Sequence, residues 1–77
     1  MKTAIITGSE GQLGQSFVSK LLELDYKVIG IDLVEQVNDQ IIYYKADITK
    51  KHEIESVLDS CNENVTVLIN NAGTSVF

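Results

Sequence analysis

The residues with the most chemical content lie near the N-terminus, in the run Thr7-Gly8-Ser9-Glu10-Gly11-Gln12-Leu13-Gly14. Its three glycines recur at intervals of three. A bound phosphate needs backbone N–H donors, the positive end of a helix and no side chain in the way. Glycine supplies the unusual dihedrals and the close approach. In order, the glycines suit a turn, a face toward a ligand and a contact of helix on strand. Their spacing departs from G-x-G-x-x-G, so that fingerprint is not met. The plainer alternative is a turn that opens a helix, with glycines serving geometry alone. Asp32 is the second candidate, eighteen residues after Gly14. A carboxylate at the tip of a second strand can accept both hydrogen bonds of an adenosine ribose diol, and it repels a 2′-phosphate. Its neighbours Leu33, Val34 and Glu35 offer no base to hold such a phosphate. The pair of signals predicts NAD in preference to NADP. An aspartate that merely opens a loop is the alternative.

These residues need elements to position them. Residues 2–7 are short, apolar and β-branched, as in a buried strand. Leu13, Phe17, Leu21 and Leu24 then recur at helical spacing, with Val18 and Leu22 beside them, and Asp25 ends the run. Lys27 to Ile31 reads as a second strand that delivers Asp32. Residues 33–40 have room for one helical turn at most. Ile41 to Lys45 is a third strand. Thr49 is expected to N-cap a second helix with the stripe Ile54, Val57, Leu58 and Cys61, and Asn62 is a candidate left-handed stop. Val65 to Ile69 is a fourth strand, running into Asn70-Asn71-Ala72-Gly73. Strands alternating with helices predict an α/β fold with right-handed crossovers. The expectation is a partial Rossmann-like, doubly wound parallel sheet of four strands in the order 3-2-1-4.

Composition narrows the function classes. The chain has 77 residues and a net charge of −5, from eleven acids and six bases. Every base is a lysine, so there is no arginine clamp and no basic face for nucleic acid. No apolar run is long enough to span a membrane. The single cysteine, Cys61, cannot form an internal disulfide, and the cytoplasm is the default expectation. Cys61 sits on an apolar stripe as a small core residue. His52, in Thr49-Lys50-Lys51-His52-Glu53, reads as part of a solvated helical turn.

Taken together, Thr7-Gly8-x-x-Gly11-x-Leu13-Gly14, Asp32, Asp47-Ile48 and Asn70-Asn71-Ala72-Gly73 resemble the N-terminal half of a short-chain dehydrogenase/reductase. The resemblance covers essentially the whole chain, as an NAD(P)-binding Rossmann half-domain over 1–77. It implies that the backbone around Gly8, Gly11, Gln12, Leu13 and Gly14 faces the pyrophosphate. It implies that Asp32 and Leu33 meet the adenosine ribose and that Asp47 and Ile48 contact the adenine ring. Asn71, Ala72 and Gly73 would run beside the ribose linked to nicotinamide, while Asn70 ties the central strands. The implied activity is hydride transfer between NAD and a hydroxyl or carbonyl carbon of a small-molecule substrate. The glycine spacing matches the branch of the family that contains nucleotide-sugar epimerases and dehydratases. The Asn-Asn-Ala-Gly run matches the alcohol–ketone oxidoreductase branch, which is favoured because that loop lies nearer the chemistry. A non-catalytic nucleotide-binding module or remnant is the other alternative.

Family members are several-fold longer, and their catalytic Tyr-x-x-x-Lys pair falls beyond the region matched here. Tyr26, Tyr43 and Tyr44 have no lysine four residues on, so no catalytic residue is assigned. The expected chain is therefore a fragment truncated before the later strands. Its fourth strand would be an exposed apolar edge, with Val76 and Phe77 nearby, and would favour self-association or a homo-oligomer.

Overall fold

The computed structural model describes residues 2–37, 39–61 and 64–71. Six elements follow in order: strand β1 (Thr3–Thr7), helix α1 (Gln12–Glu23), strands β2 (Lys27–Asp32) and β3 (Ile42–Lys45), helix α2 (Lys51–Ser60) and strand β4 (Val65–Asn70). The strands form one parallel sheet in the order β3-β2-β1-β4, as expected. Expected strand limits agree to within a residue or so. The connection of residues 33–37 forms neither helix nor strand.

β1 and β2 are central and their apolar runs are buried on both faces. Alternation divides them between two cores. Ala4, Ile6 and Val28 join Val18 and Leu21 of α1 and Ile41 on one face. Ile5, Ile29 and Ile31 join Val57 of α2 and Ala46 on the other, with Ile54 and Cys61 packed against them. β3 and β4 flank this centre and are only partly covered. β4 carries a register shift opposite Thr3 and Ala4, where Val65 pairs with Thr3 and Val67 with Ala4. The extra residue, Thr66, breaks the simple alternation of Val65, Val67 and Ile69. Val67 and Ile69 pack on the α1 side. Val65 and Leu68 line a groove of about 440 Å³ with Ile5, Ile54 and Leu58 on the α2 side. Leu68 is 67% exposed there, so the apolar character expected of β4 is realised as an open face.

Two details of the helices differ from expectation. α1 buries Gly14, Val18 and Leu21, whereas Leu13, Phe17 and Leu24 are exposed, Leu13 to 58%. The contact is centred on Gly14, because the helix meets the sheet where it has no side chain, and Leu13 and Phe17 fall one step around the helix from that line. Thr49 does not cap α2. The N-cap is Lys50, with no side-chain cap, and the Thr49 hydroxyl donates to Asp47 Oδ1 instead. Glu53 reaches back from the first turn and accepts the amide of Asp47 at 2.8 Å. The end of α1 agrees with expectation. Asp25 adopts φ 64°, its amide bonds the carbonyl of Leu22, and the amide of Tyr26 bonds that of Leu21. This is a Schellman closure, with Tyr26 and Leu21 in the same core. Asn62 lies outside the described residues.

Gly14 leaves no room for a side chain. A Cβ built there would lie 1.9 Å from the carbonyl oxygen of Gly8. Alanine normally favours a helix over glycine by about 1 kcal/mol. A clash with backbone at this range outweighs that gain. Gly14→Ala is expected to destabilise the fold by about 3 kcal/mol, read as a lower urea midpoint at constant m-value.

Candidate functional site

Parallel strands with helical crossovers bring the carboxyl ends of β1, β2, β3 and β4 to one edge of the sheet. The glycine run, Asp32, Asp47-Ile48 and Asn71 all lie there. The turn after β1 is held from several sides. Gly8 takes φ 70°, which explains why glycine occupies it. Its amide donates to the carbonyl of Ile31 at 2.7 Å, and its own carbonyl accepts Asn71 Nδ2 at 3.1 Å. Thr7 Oγ1 donates to Asn70 Oδ1 at 3.3 Å, joining the tips of β1 and β4. Gln15 Nε2 donates to the carbonyl of Glu10 at 2.8 Å.

α1 starts from this turn. Its N-cap is Gly11, no side chain caps it, and its first intrahelical bond runs from the Gln15 amide to the Gly11 carbonyl at 2.9 Å. The amides of Gln12, Leu13 and Gly14 have no partner within the helix, as at any helix start. A Cβ on Gly11 would meet only the Gly8 carbonyl, at an ordinary 3.6 Å. Gly11 is thus not required by packing inside the chain, in contrast to Gly14. The first turn of α1 also lacks acidic residues, which leaves the positive end of the helix unopposed from within it.

Asp32 ends β2 beside the turn. Its Oδ2 accepts the amide of Glu10 at 2.9 Å and its Oδ1 accepts the amide of Leu33 at 2.7 Å. Each oxygen keeps capacity for another donor. Asp32, Leu33, Asp47 and Ile48 converge on one cleft of about 210 Å³, lined also by Ile31, Ala46 and Thr49. Its walls are mainly apolar, with the two aspartates as its acids. Asp47 Oδ1 accepts both the amide of Thr49, at 2.9 Å, and its hydroxyl, at 2.6 Å. These bonds hold the Asp47 carboxyl below its ordinary pKa, with a smaller contribution from Lys50. Ala72 and Gly73 lie outside the described residues.

Sequence reasoning missed the partners that build this corner. Asn71 was expected beside a ribose, and its side chain is engaged with the Gly8 carbonyl. Glu10 was not singled out, yet it is buried and its carboxylate accepts the Val37 amide at 2.6 Å and the Ser9 hydroxyl at 2.8 Å. An acid inside a glycine-rich turn was the available signal. His52 is exposed on α2, as expected. Among the described residues, no helix is long and apolar enough to cross a membrane.

This arrangement defines the class: a Rossmann-like α/β unit with its candidate site at the carboxyl ends of its parallel strands. The sequence matches the short chain dehydrogenase family model over residues 2–77, and the chain belongs to that family. It is 34% identical over 77 residues to an uncharacterized oxidoreductase of Schizosaccharomyces pombe, covering 94% of this chain and 30% of that protein. It is 36% identical over 90 residues to the benzil reductase ((S)-benzoin forming) of Bacillus cereus, covering 96% of this chain and 36% of that one. The crystal structure of a short chain dehydrogenase from Leptospira borgpetersenii with bound NAD+ superposes with a TM-score of 0.75 at 32% identity, over 90% of this chain and 30% of that one. The chain thus spans about a third of the length of these relatives.

Tyr43, on β3, reports the charge of this corner. Its hydroxyl donates to the carbonyl of Val34. Burial, and then the charges of Asp32, Glu10 and Glu35, raise its pKa from 10.0 to about 12. The neutral phenol is therefore favoured in the folded state. Its contribution to stability is complete below pH 10 and is lost as pH rises toward 12. Tyr43→Phe is expected to flatten the fall in stability across that window, measured by denaturant titration at a series of pH values.

Proposed function

We propose that this chain holds NAD, in preference to NADP, for a protein that moves hydride between the nicotinamide and a hydroxyl or carbonyl carbon of a small molecule. The observation that carries the reading is the placement of Asp32 beside the glycine turn, with its carboxylate hydrogen-bonded to the amide of Glu10. The chain's own residues fit the dinucleotide. The turn around Gly8, Gly11, Gln12, Leu13 and Gly14 offers amides and an uncapped helix start to the diphosphate. Asp32 accepts from the adenosine ribose diol and sets its charge against a 2′-phosphate. Leu33 forms the wall beside that sugar. Ile48 packs on the adenine face, and Asp47 accepts from the exocyclic amine through Oδ2, since its bonds to Thr49 fall on Oδ1. Asn71 steadies the turn through Gly8, and the family resemblance assigns Ala72 and Gly73 to the second ribose. When bound, the nicotinamide supplies the site that accepts or gives the hydride. No catalytic acid is assigned within this chain.

The glycine spacing favours a second reading, a nucleotide-sugar epimerase or dehydratase that keeps its NAD bound. A third, a nucleotide-binding module without catalysis, shares the same pocket. For location we propose the cytoplasm, on the single, disulfide-free Cys61. The open apolar face of β4 supports self-association. Light scattering on the chain is expected to give a mass above that of one copy, and a mass of one copy counts against this.

Calorimetry with NAD, NADP and ADP tests the cofactor assignment. NAD is expected to bind about tenfold or more tightly than NADP. Asp32→Ala is expected to weaken NAD by a similar factor, from lost bonds to a charged acceptor. Equal affinity for the two cofactors would refute the role given to Asp32. NAD that survives desalting favours the epimerase-type reading.

A further inference from the structure

We infer that Glu10 is a positioning residue for the adenosine side of the site, a tether that fixes the β2–β3 connection against the glycine turn. The inference rests on the cofactor reading above. A carboxylate is a poor choice in a turn that must receive a diphosphate, because like charges repel. Its side chain is accordingly committed elsewhere. Glu10 is only 7% exposed. Oε1 accepts the amide of Val37 at 2.6 Å, and Oε2 accepts the hydroxyl of the fully buried Ser9 at 2.8 Å. Burial of a charge is costly unless it is hydrogen-bonded, so these bonds hold the side chain in this direction.

The tethered segment lies on the surface. Leu33 to Val37 are all exposed and form neither helix nor strand. The segment's other ties include the Leu33 amide to Asp32 Oδ1, the Tyr43 hydroxyl to the Val34 carbonyl, Gln36 Nε2 to the Ile41 carbonyl and the surface pair of Glu35 with Lys45. An exposed ion pair contributes little. Leu33 begins this segment and lines the cleft that holds Asp32 and Asp47. Glu10 also reaches Asp32 directly, through its own amide at 2.9 Å. One residue therefore holds the acid by its main chain and the adjoining wall by its side chain. The effect of the Glu10 charge on Tyr43 agrees with a carboxylate turned toward β3.

Two substitutions separate reach from charge. Glu10→Gln keeps an oxygen that can accept the Val37 amide. Glu10→Asp keeps the charge but is one methylene too short to span the gap. With ADP as the probe and the full chain in calorimetry, Glu10→Asp is expected to weaken binding about tenfold, and Glu10→Gln by less than about threefold. Hydrogen exchange at the Val37 amide should quicken in Glu10→Asp alone. Val28→Ala, in the core at the far end of β2, is expected to lower the melting temperature and leave ADP affinity unchanged. Glu10→Asp binding within about twofold of wild type overturns the inference. So does a loss in Glu10→Gln as large as that in Glu10→Asp or larger, because reach alone would then not account for it. Failure of the unsubstituted chain to bind ADP sinks the cofactor reading and the tether with it, whereas normal binding unaffected by Glu10→Asp sinks the tether alone.

Discussion

Gly14, in the first turn of α1, packs directly on the carbonyl of Gly8, with no room for a Cβ between them. Much of the site depends on it. With no side chain at Gly14, the helix start sits directly on the tip of β1. Its free amides then lie beside the tips of β2 and β4 rather than a side-chain diameter away. The turn between must reverse within a few residues, and Gly8 does so with φ 70°. A related close approach occurs at Gly30 of β2, where a Cβ would fall 2.4 Å from Ser9 Oγ. Two glycines thus let the turn nest between the helix and the sheet, and Ser9 is fully buried as a result.

Electrostatics then divides the corner. The start of α1 is uncapped and lacks acids, so it favours an anion. Asp32, Glu10 and Glu35 gather on the side toward β3, where together with burial they raise the pKa of Tyr43 to about 12. The proposed dinucleotide reading uses this division, with the diphosphate assigned to the helix and the neutral ribose diol to the carboxylate. In that reading, an additional phosphate on the ribose would meet like charge. The same network is structural, since Asp32 and Glu10 both accept main-chain amides. The groups proposed to bind and the scaffold are therefore not separable here.

The two faces of the sheet are unequally finished. On the α1 side, Val18 and Leu21 meet Ala4, Ile6 and Val28, and the Schellman closure at Asp25 brings Tyr26 into the same core. On the α2 side, Val57 is buried, while Leu58, Val65 and Leu68 stay exposed around an open groove. The register shift in β4 increases this asymmetry by turning Val65 to the open side. The chain covers only about a third of its relatives' length, and the described residues contain no element over this groove.

Much was legible from the residues in order. Apolar β-branched runs define β1 and β2 because burial on both faces leaves no room for polar alternation. Glycine at 8 and 14, Asp25 at the helix end and Asp32 at the strand tip each answer a local backbone or charge requirement. Alternating strands and helices, with right-handed crossovers, then leave few sheet orders. What remained hidden involves residues far apart in sequence. Helical periodicity could not say that the α1 contact centres on Gly14, because that depends on how closely the sheet approaches. Thr49 resembles an N-cap locally, but Asp47 offers its hydroxyl a better acceptor and Glu53 takes the Asp47 amide. The engagement of Asn71 with Gly8, across 63 positions, and of Glu10 with Val37, across 27, exists only once the strand tips are assembled. Sequence by itself determined the elements and the chemical character of their ends, since these follow from local backbone and burial preferences. Only the tertiary structure decided which of those ends bond to one another, because that choice belongs to distances the folded chain alone creates.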